Sequence, residues 1–160
     1  MYGIGEKIVY PMHGAGVIVE IEEKEILGET RAYYFLEIPY DKMKIMLPVD
    51  TCDEIGVRPV ISDGEIPAVI EVLKGADTEM DSNWNRRYRD NLEKMKTGDL
   101  ANVAEIVRNL MRIDRFKKLS TGEKKMLTNA KRIIASEFML SKDIDIDEAE
   151  KIIDDAVFNT

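Results

Sequence analysis

Val57-Arg58-Pro59-Val60-Ile61-Ser62-Asp63-Gly64-Glu65-Ile66-Pro67-Ala68-Val69-Ile70-Glu71-Val72-Leu73 is the stretch in which the chain changes its hydrophobic period. The β-rich signal stops near Val60. Beyond the turn residues Ser62-Asp63-Gly64, the apolar residues Ile66, Val69, Ile70 and Leu73 fall at i, i+3, i+4 and i+7, the stripe of a helix with Gly75 as its stop. A chain that switches once from period 2 to period 3.6 is a strand half followed by a helix half.

Upstream, Lys7-Ile8-Val9-Tyr10 reads as a short strand ending at Pro11 and a Gly-rich corner, His13-Gly14-Ala15-Gly16. Val17, Val19 and Ile21 then alternate with Ile18, Glu20 and Glu22, the pattern of a half-buried strand. Leu27-Gly28-Glu29-Thr30 reads as a turn, residues 33–38 as a second strand, Pro39-Tyr40-Asp41-Lys42 as another turn, and Met43 to Val49 as a third strand. Short strands at close spacing predict a small barrel of the SH3 or Tudor kind over residues 1–60.

Downstream, Ser82 or Asn83 is placed to cap a helix running to about Lys96, and Asp99 to cap the next, with Val103, Ile106, Val107, Leu110 and Met111 inward. Ser120 and Glu123 have capping-box spacing before a helix with Met126, Leu127, Ala130, Ile133 and Ile134 inward. A last helix begins at Asp145 or Asp147 and buries Ala149, Ile152, Ile153 and Ala156. The expected class is therefore α+β, an N-terminal SH3/Tudor-like barrel followed by an all-α bundle. The division is 1–60 barrel, 61–78 connecting helix or linker, and 79–160 helical domain.

The 160 residues are 44% hydrophobic and 34% charged, enough apolar material for a core. No apolar run approaches the roughly 20 residues of a membrane span, the first residues lack a secretory pattern, and the single Cys52 leaves no internal disulfide or Cys-rich metal site. A soluble cytoplasmic protein without cofactor or membrane partner is expected. The net charge of −8 hides a segmental pattern. Residues 1–78 carry 7 basic and 15 acidic side chains, residues 82–132 carry 14 and 6, and residues 133–160 carry 2 and 8. Only the middle segment is suited to a polyanion.

Enzyme signatures fail on inspection. Gly14-Ala15-Gly16 lacks the strand–loop–helix setting and third glycine of a nucleotide loop, and Gly122-Glu123-Lys124-Lys125 lacks the upstream glycine and hydroxyl of a P-loop. Asp143, Asp145 and Asp147 open with calcium-loop spacing, but Glu148 stands where glycine is required and Asp154 where a bidentate glutamate is. His13 is the only histidine, so no two-histidine constellation exists. No enzyme is expected.

Asn83-Trp84-Asn85-Arg86-Arg87-Tyr88-Arg89 holds the only tryptophan, a tyrosine and three arginines at a helix start. Arginine pairs bidentately with phosphate, and a flat aromatic stacks on a base or wedges against an opened step. The same residues also fit a bundle anchor with a solvated basic face. Lys117, Lys118, Lys124, Lys125, Lys131 and Arg132 form a second basic cluster.

On these residues the sequence resembles the CarD/CdnL bacterial transcription regulators. Gly5-Glu6-Lys7-Ile8-Val9-Tyr10-Pro11-Met12-His13-Gly14-Ala15-Gly16 is similar to the opening of that family's Tudor-like polymerase-interacting domain, and Gly56-Val57-Arg58-Pro59-Val60 to its close. The resemblance continues through Asn83-Trp84-Asn85-Arg86-Arg87-Tyr88, Thr97-Gly98-Asp99, Val103-Ala104-Glu105-Ile106-Val107-Arg108 and Leu119-Ser120-Thr121-Gly122-Glu123-Lys124. Transcription-repair coupling factors carry a similar barrel, but no helicase motif accompanies it here. The resemblance implies a non-enzymatic regulator whose barrel binds the RNA polymerase β subunit by pairing a strand edge. Lys24 stands at one contact position, and Met46 stands at another, where some members have arginine. It further implies that Trp84 acts as a wedge at the upstream edge of opened promoter DNA. Arg86, Arg87, Arg89, Lys124 and Lys125 are the candidate DNA contacts, so the open complex would be stabilised with little sequence reading. The expected partners are the polymerase β subunit and promoter DNA, the protein being a monomer that meets the nucleoid through polymerase. The alternative is a stand-alone, sequence-specific repressor or activator, which would need base-edge readers on a groove-inserted helix.

Overall fold

The computed structural model describes residues 2–158. Strands β1 (Lys7–Tyr10), β2 (Gly14–Ile26), β3 (Glu29–Ile38), β4 (Met43–Pro48) and β5 (Arg58–Pro59) form one antiparallel sheet in the order β4-β3-β2-β1-β5, with a one-turn helix α1 (Cys52–Ile55) between β4 and β5. Five helices follow: α2 (Ile66–Lys74), α3 (Trp84–Lys96), α4 (Leu100–Phe116), α5 (Thr121–Lys142) and α6 (Ile146–Phe158). This is the α+β order expected.

Two apolar clusters hold the chain. Ile8, Ile18, Tyr34, Leu36, Ile38, Leu47, Cys52 and Val57 form the core of the strand half. The larger cluster runs through α2 to α6. Segment 61–78 contains α2, whose Ile66, Val69 and Leu73 are buried in that larger cluster, so this helix is an integral layer of the bundle.

The expected alternation on β2 is broken by a bulge. Ile18 pairs with Leu36 but Glu20 pairs with Phe35, so Val19 is the extra residue. Val19 is consequently 37% exposed, while Ile18 is fully buried and Ile21, opposite buried Tyr34, returns to the inner side. The set Val17, Val19 and Ile21 is therefore not one face. The turn is also shorter than expected: Leu27 (φ 54°) and Gly28 (φ 80°) alone join Ile26 to Glu29. Positive φ at both central residues is what a two-residue type I′ hairpin requires. Glu29 and Thr30 already belong to β3, in an arm that extends beyond the core and so carries no alternating signal.

β2 packs on α5. The Ala15 N–H donates to Ser136 Oγ at 2.9 Å, and the buried Glu137 carboxylate accepts from Arg58 Nη1 (2.7 Å), Arg58 Nη2 (3.0 Å) and the Ile61 N–H (2.9 Å). Tyr40 donates to Glu150 on α6 at 2.9 Å. Burial, with that acceptor carboxylate, pushes its phenol up to about 12. The sheet and the helices are thus joined by buried polar contacts as well as by packing.

Candidate nucleic-acid and protein interfaces

Asn83 caps α3, its side chain accepting from the N–H groups of Asn85 (3.0 Å) and Arg86 (3.3 Å). This starts the helix at Trp84 and leaves that ring 53% exposed rather than in the core. The three arginines then diverge. Arg89 is exposed, and Arg86 is exposed with a loose 3.6 Å approach to Asp81. Arg87 turns inward, donating from Nε and Nη2 to the two oxygens of buried Glu123 at 2.7 and 2.8 Å. Arg87 holds the Glu123 carboxyl below the usual carboxylate range, and the pairing raises the guanidinium in return.

Glu123 lies in the first turn of α5, so this pair fastens the start of α3 to the start of α5. Lys124 and Lys125 follow, both exposed, and line a shallow groove of about 320 Å³ with Thr128 and Arg132. Trp84 shares a second cleft, of about 350 Å³, with Lys117 and Lys118. The remaining members of the basic cluster are committed within the protein: Lys131 to Asp154 at 2.8 Å and Arg132 to Asp41 at 3.1 Å. Trp84, Arg86, Arg89, Lys124 and Lys125 thus sit around one pinned junction of two helix N termini, with Arg87 as the pin.

On the sheet, the outer side of β2, β3 and β4 brings together Lys24, Phe35 and Met46. Phe35 pairs with Met46, and Lys24 Nζ lies 5.4 Å from the Phe35 ring centroid. Met46 is 41% exposed on β4, which is an edge strand. The patch is bordered by acids: Glu22 approaches Lys24 at 4.0 Å, and a hydrogen bond with Glu22 raises the Glu20 carboxyl above its ordinary value. Phe35 was not a candidate from the sequence, because Tyr33-Tyr34-Phe35-Leu36 is uniformly apolar and does not show which ring faces out. Among the described residues no cluster of metal-ligating side chains occurs, and no helix is long and apolar enough to cross a membrane.

A sheet half with an open edge, joined to a helical half with a basic aromatic junction, defines a two-part protein with two separate outward surfaces. This chain belongs to the CarD-like family of transcription factors. Residues 2–61 match the family model described as the CarD-like/TRCF RID domain, and residues 68–154 match that of the CarD C-terminal domain. It is also similar to the Bacillus subtilis (strain 168) protein named "Putative transcription factor YdeB", with 39% identity over 144 residues that cover 90% of this chain and 94% of that protein.

Proposed function

We propose that this chain is a non-enzymatic regulator that binds the RNA polymerase β subunit through its sheet and stabilises the promoter open complex through its helical half. The Lys24–Phe35–Met46 patch and the unpaired edge of β4 form the polymerase surface. Main-chain pairing along the edge supplies affinity, and the patch tunes it. Trp84 meets the DNA at the upstream edge of the opened segment, while Arg86, Arg89, Lys124 and Lys125 reach backbone phosphates. Such contacts position the protein without selecting a sequence. Arg87 serves the same interface by fixing the junction on which the others stand. The observation that carries this reading is Trp84, half-exposed on the first turn of α3 and sharing a cleft with Lys117 and Lys118.

The test is the lifetime of promoter open complexes after a competitor challenge, with the full chain present. Trp84→Ala is expected to keep its helical circular dichroism and its polymerase binding but to lose the prolongation. The loss is bounded by the stacking energy of about 1–3 kcal/mol, roughly 5- to 150-fold. A folded Trp84→Ala protein that prolongs open complexes like the wild type overturns the proposal.

A further inference from the structure

Phe116 ends α4 with its side chain 89% exposed, the most exposed aromatic of the helical half. The macrodipole draws cations to a helix C terminus, which accounts for its neighbours Arg115, Lys117 and Lys118. It does not account for a phenyl ring held in water. Arg115 lies against the ring of Phe158, 4.3 Å from its centroid. Phe116 has no aromatic or cation–ring partner of this kind among the described residues, and it directly precedes the two lysines in the chain.

Lys117 and Lys118 line the cleft that Trp84 also lines. The one acid in that cleft, Glu123, is already bound by Arg87, so the charge offered outward is positive. A volume of about 350 Å³ lies at the low end of ligand pockets, which run about 300–1,000 Å³; that is room for part of an unpaired strand. The chemistry separates duplex from single strand. Stacked bases in a duplex hide their faces, whereas unpaired bases offer them to aromatic side chains, and every base has a π-face.

We infer that Phe116, Lys117 and Lys118 form a single-strand contact: a DNA strand leaving the duplex at Trp84 crosses the cleft, its phosphates on the two lysines and an unpaired base stacked on Phe116. This rests on the reading of the helical half as a DNA surface and extends that surface from the duplex edge to the separated strand. Recognition is indifferent to sequence, because stacking and phosphate pairing carry the contact.

Trp84 is the only tryptophan in the chain and lines the cleft, so its fluorescence reports occupancy directly. The full chain is titrated at low ionic strength, where phosphate contacts are strongest, with a forked DNA bearing a single-stranded arm and with a blunt duplex of equal length. The fork is expected to perturb Trp84 emission saturably and to bind more tightly than the duplex. Phe116→Ala should weaken fork binding about 5- to 150-fold, the span of one base–aromatic stack, and leave duplex binding unchanged, while Phe116→Tyr restores it. Lys117→Ala with Lys118→Ala should reduce the fork's salt slope by about 1.4, at about 0.7 per single-strand phosphate. Wild-type fork affinity in Phe116→Ala, or equal losses on fork and duplex, overturns the single-strand contact while leaving the duplex surface standing. If neither DNA perturbs Trp84 in the wild type, the DNA reading of the helical half falls and this contact with it.

Discussion

Arg86, Arg87 and Arg89 are neighbours of one residue type whose replacement should read out in different measurements. Arg86 and Arg89 are exposed, and a surface charge contributes little to folding. Replacing either by Ala should leave the melting temperature nearly unchanged and reduce the salt slope of promoter-complex binding by about 0.9 per lost duplex phosphate. Arg87→Ala should do the opposite, because it strands the Glu123 carboxylate, whose side chain is only 2% exposed. Breaking a buried pair from one side costs about 3–5 kcal/mol, so the melting temperature should fall by several degrees. The pair also sets an acid limit. Glu123 titrates lower in the folded protein than in the unfolded chain, first because of Arg87 and also through hydrogen bonds from Ser120. Its stabilisation is present above the ordinary carboxylate pKa and is lost as pH falls through the depressed folded value. Thermal melts of Glu123→Gln should accordingly lose stability at pH 7 and approach the wild type at acid pH. A wild-type acid profile in that variant would show that the pair does not carry the dependence.

The β4 edge and the patch beside it belong to the scale of elements. Phe35 stands half-buried on the outer side of the sheet, so Phe35→Ala should weaken polymerase β-subunit binding about 30-fold or more, the threshold of an aromatic hot spot at about 2 kcal/mol, while the protein stays folded at the assay temperature. Lys24→Glu should weaken the same binding without altering open DNA contacts at Trp84, and an affinity equal to wild type in both variants would remove this face from the interface. Most elements could be read from the chain: α2 to α6 follow their apolar stripes and caps, from Asn83 and Asp99 to Ser120. Trp84 with its three arginines, and separately the basic run from Lys117 to Arg132, are also legible as two basic clusters. What local sequence did not reveal required long-range pairing. The Val19 bulge reverses which β2 residues face inward, the outward turn of Phe35 depends on β3–β4 register, and the inward turn of Arg87 depends on a glutamate 36 positions away.

At the scale of the whole molecule, two surfaces with different partners help each other only if their separation and orientation are fixed. A regulator tethered to polymerase by its sheet presents Trp84 at one place on the DNA when sheet and bundle move as one body, and that gain is an effective concentration. Glu137 is the centre of the joint. Its side chain is completely buried, and its two oxygens accept from Arg58 on β5 and from the Ile61 backbone just beyond it. Close by, Gly14 adopts φ 117°, and a Cβ there would lie 2.9 Å from Ser136 Oγ, so β2 reaches α5 only because this residue has no side chain. Glu137→Ala removes the buried partner and leaves the partly exposed Arg58 guanidinium and the Ile61 N–H without their acceptor, which weakens the joint. The sheet and bundle each keep their own apolar cluster. Calorimetry should therefore show one transition in the wild type and two in Glu137→Ala, and Gly14→Ala should act in the same direction. On the proposed reading, in which polymerase binding uses the sheet, that binding should survive in Glu137→Ala, while prolongation of open complexes should fall even though Trp84, Lys117 and Lys118 are intact. Full prolongation by a Glu137→Ala protein that melts in two steps would mean that the two surfaces work as independent modules on a loose tether. Loss of prolongation with polymerase binding retained would place the function in the joint as much as in either surface.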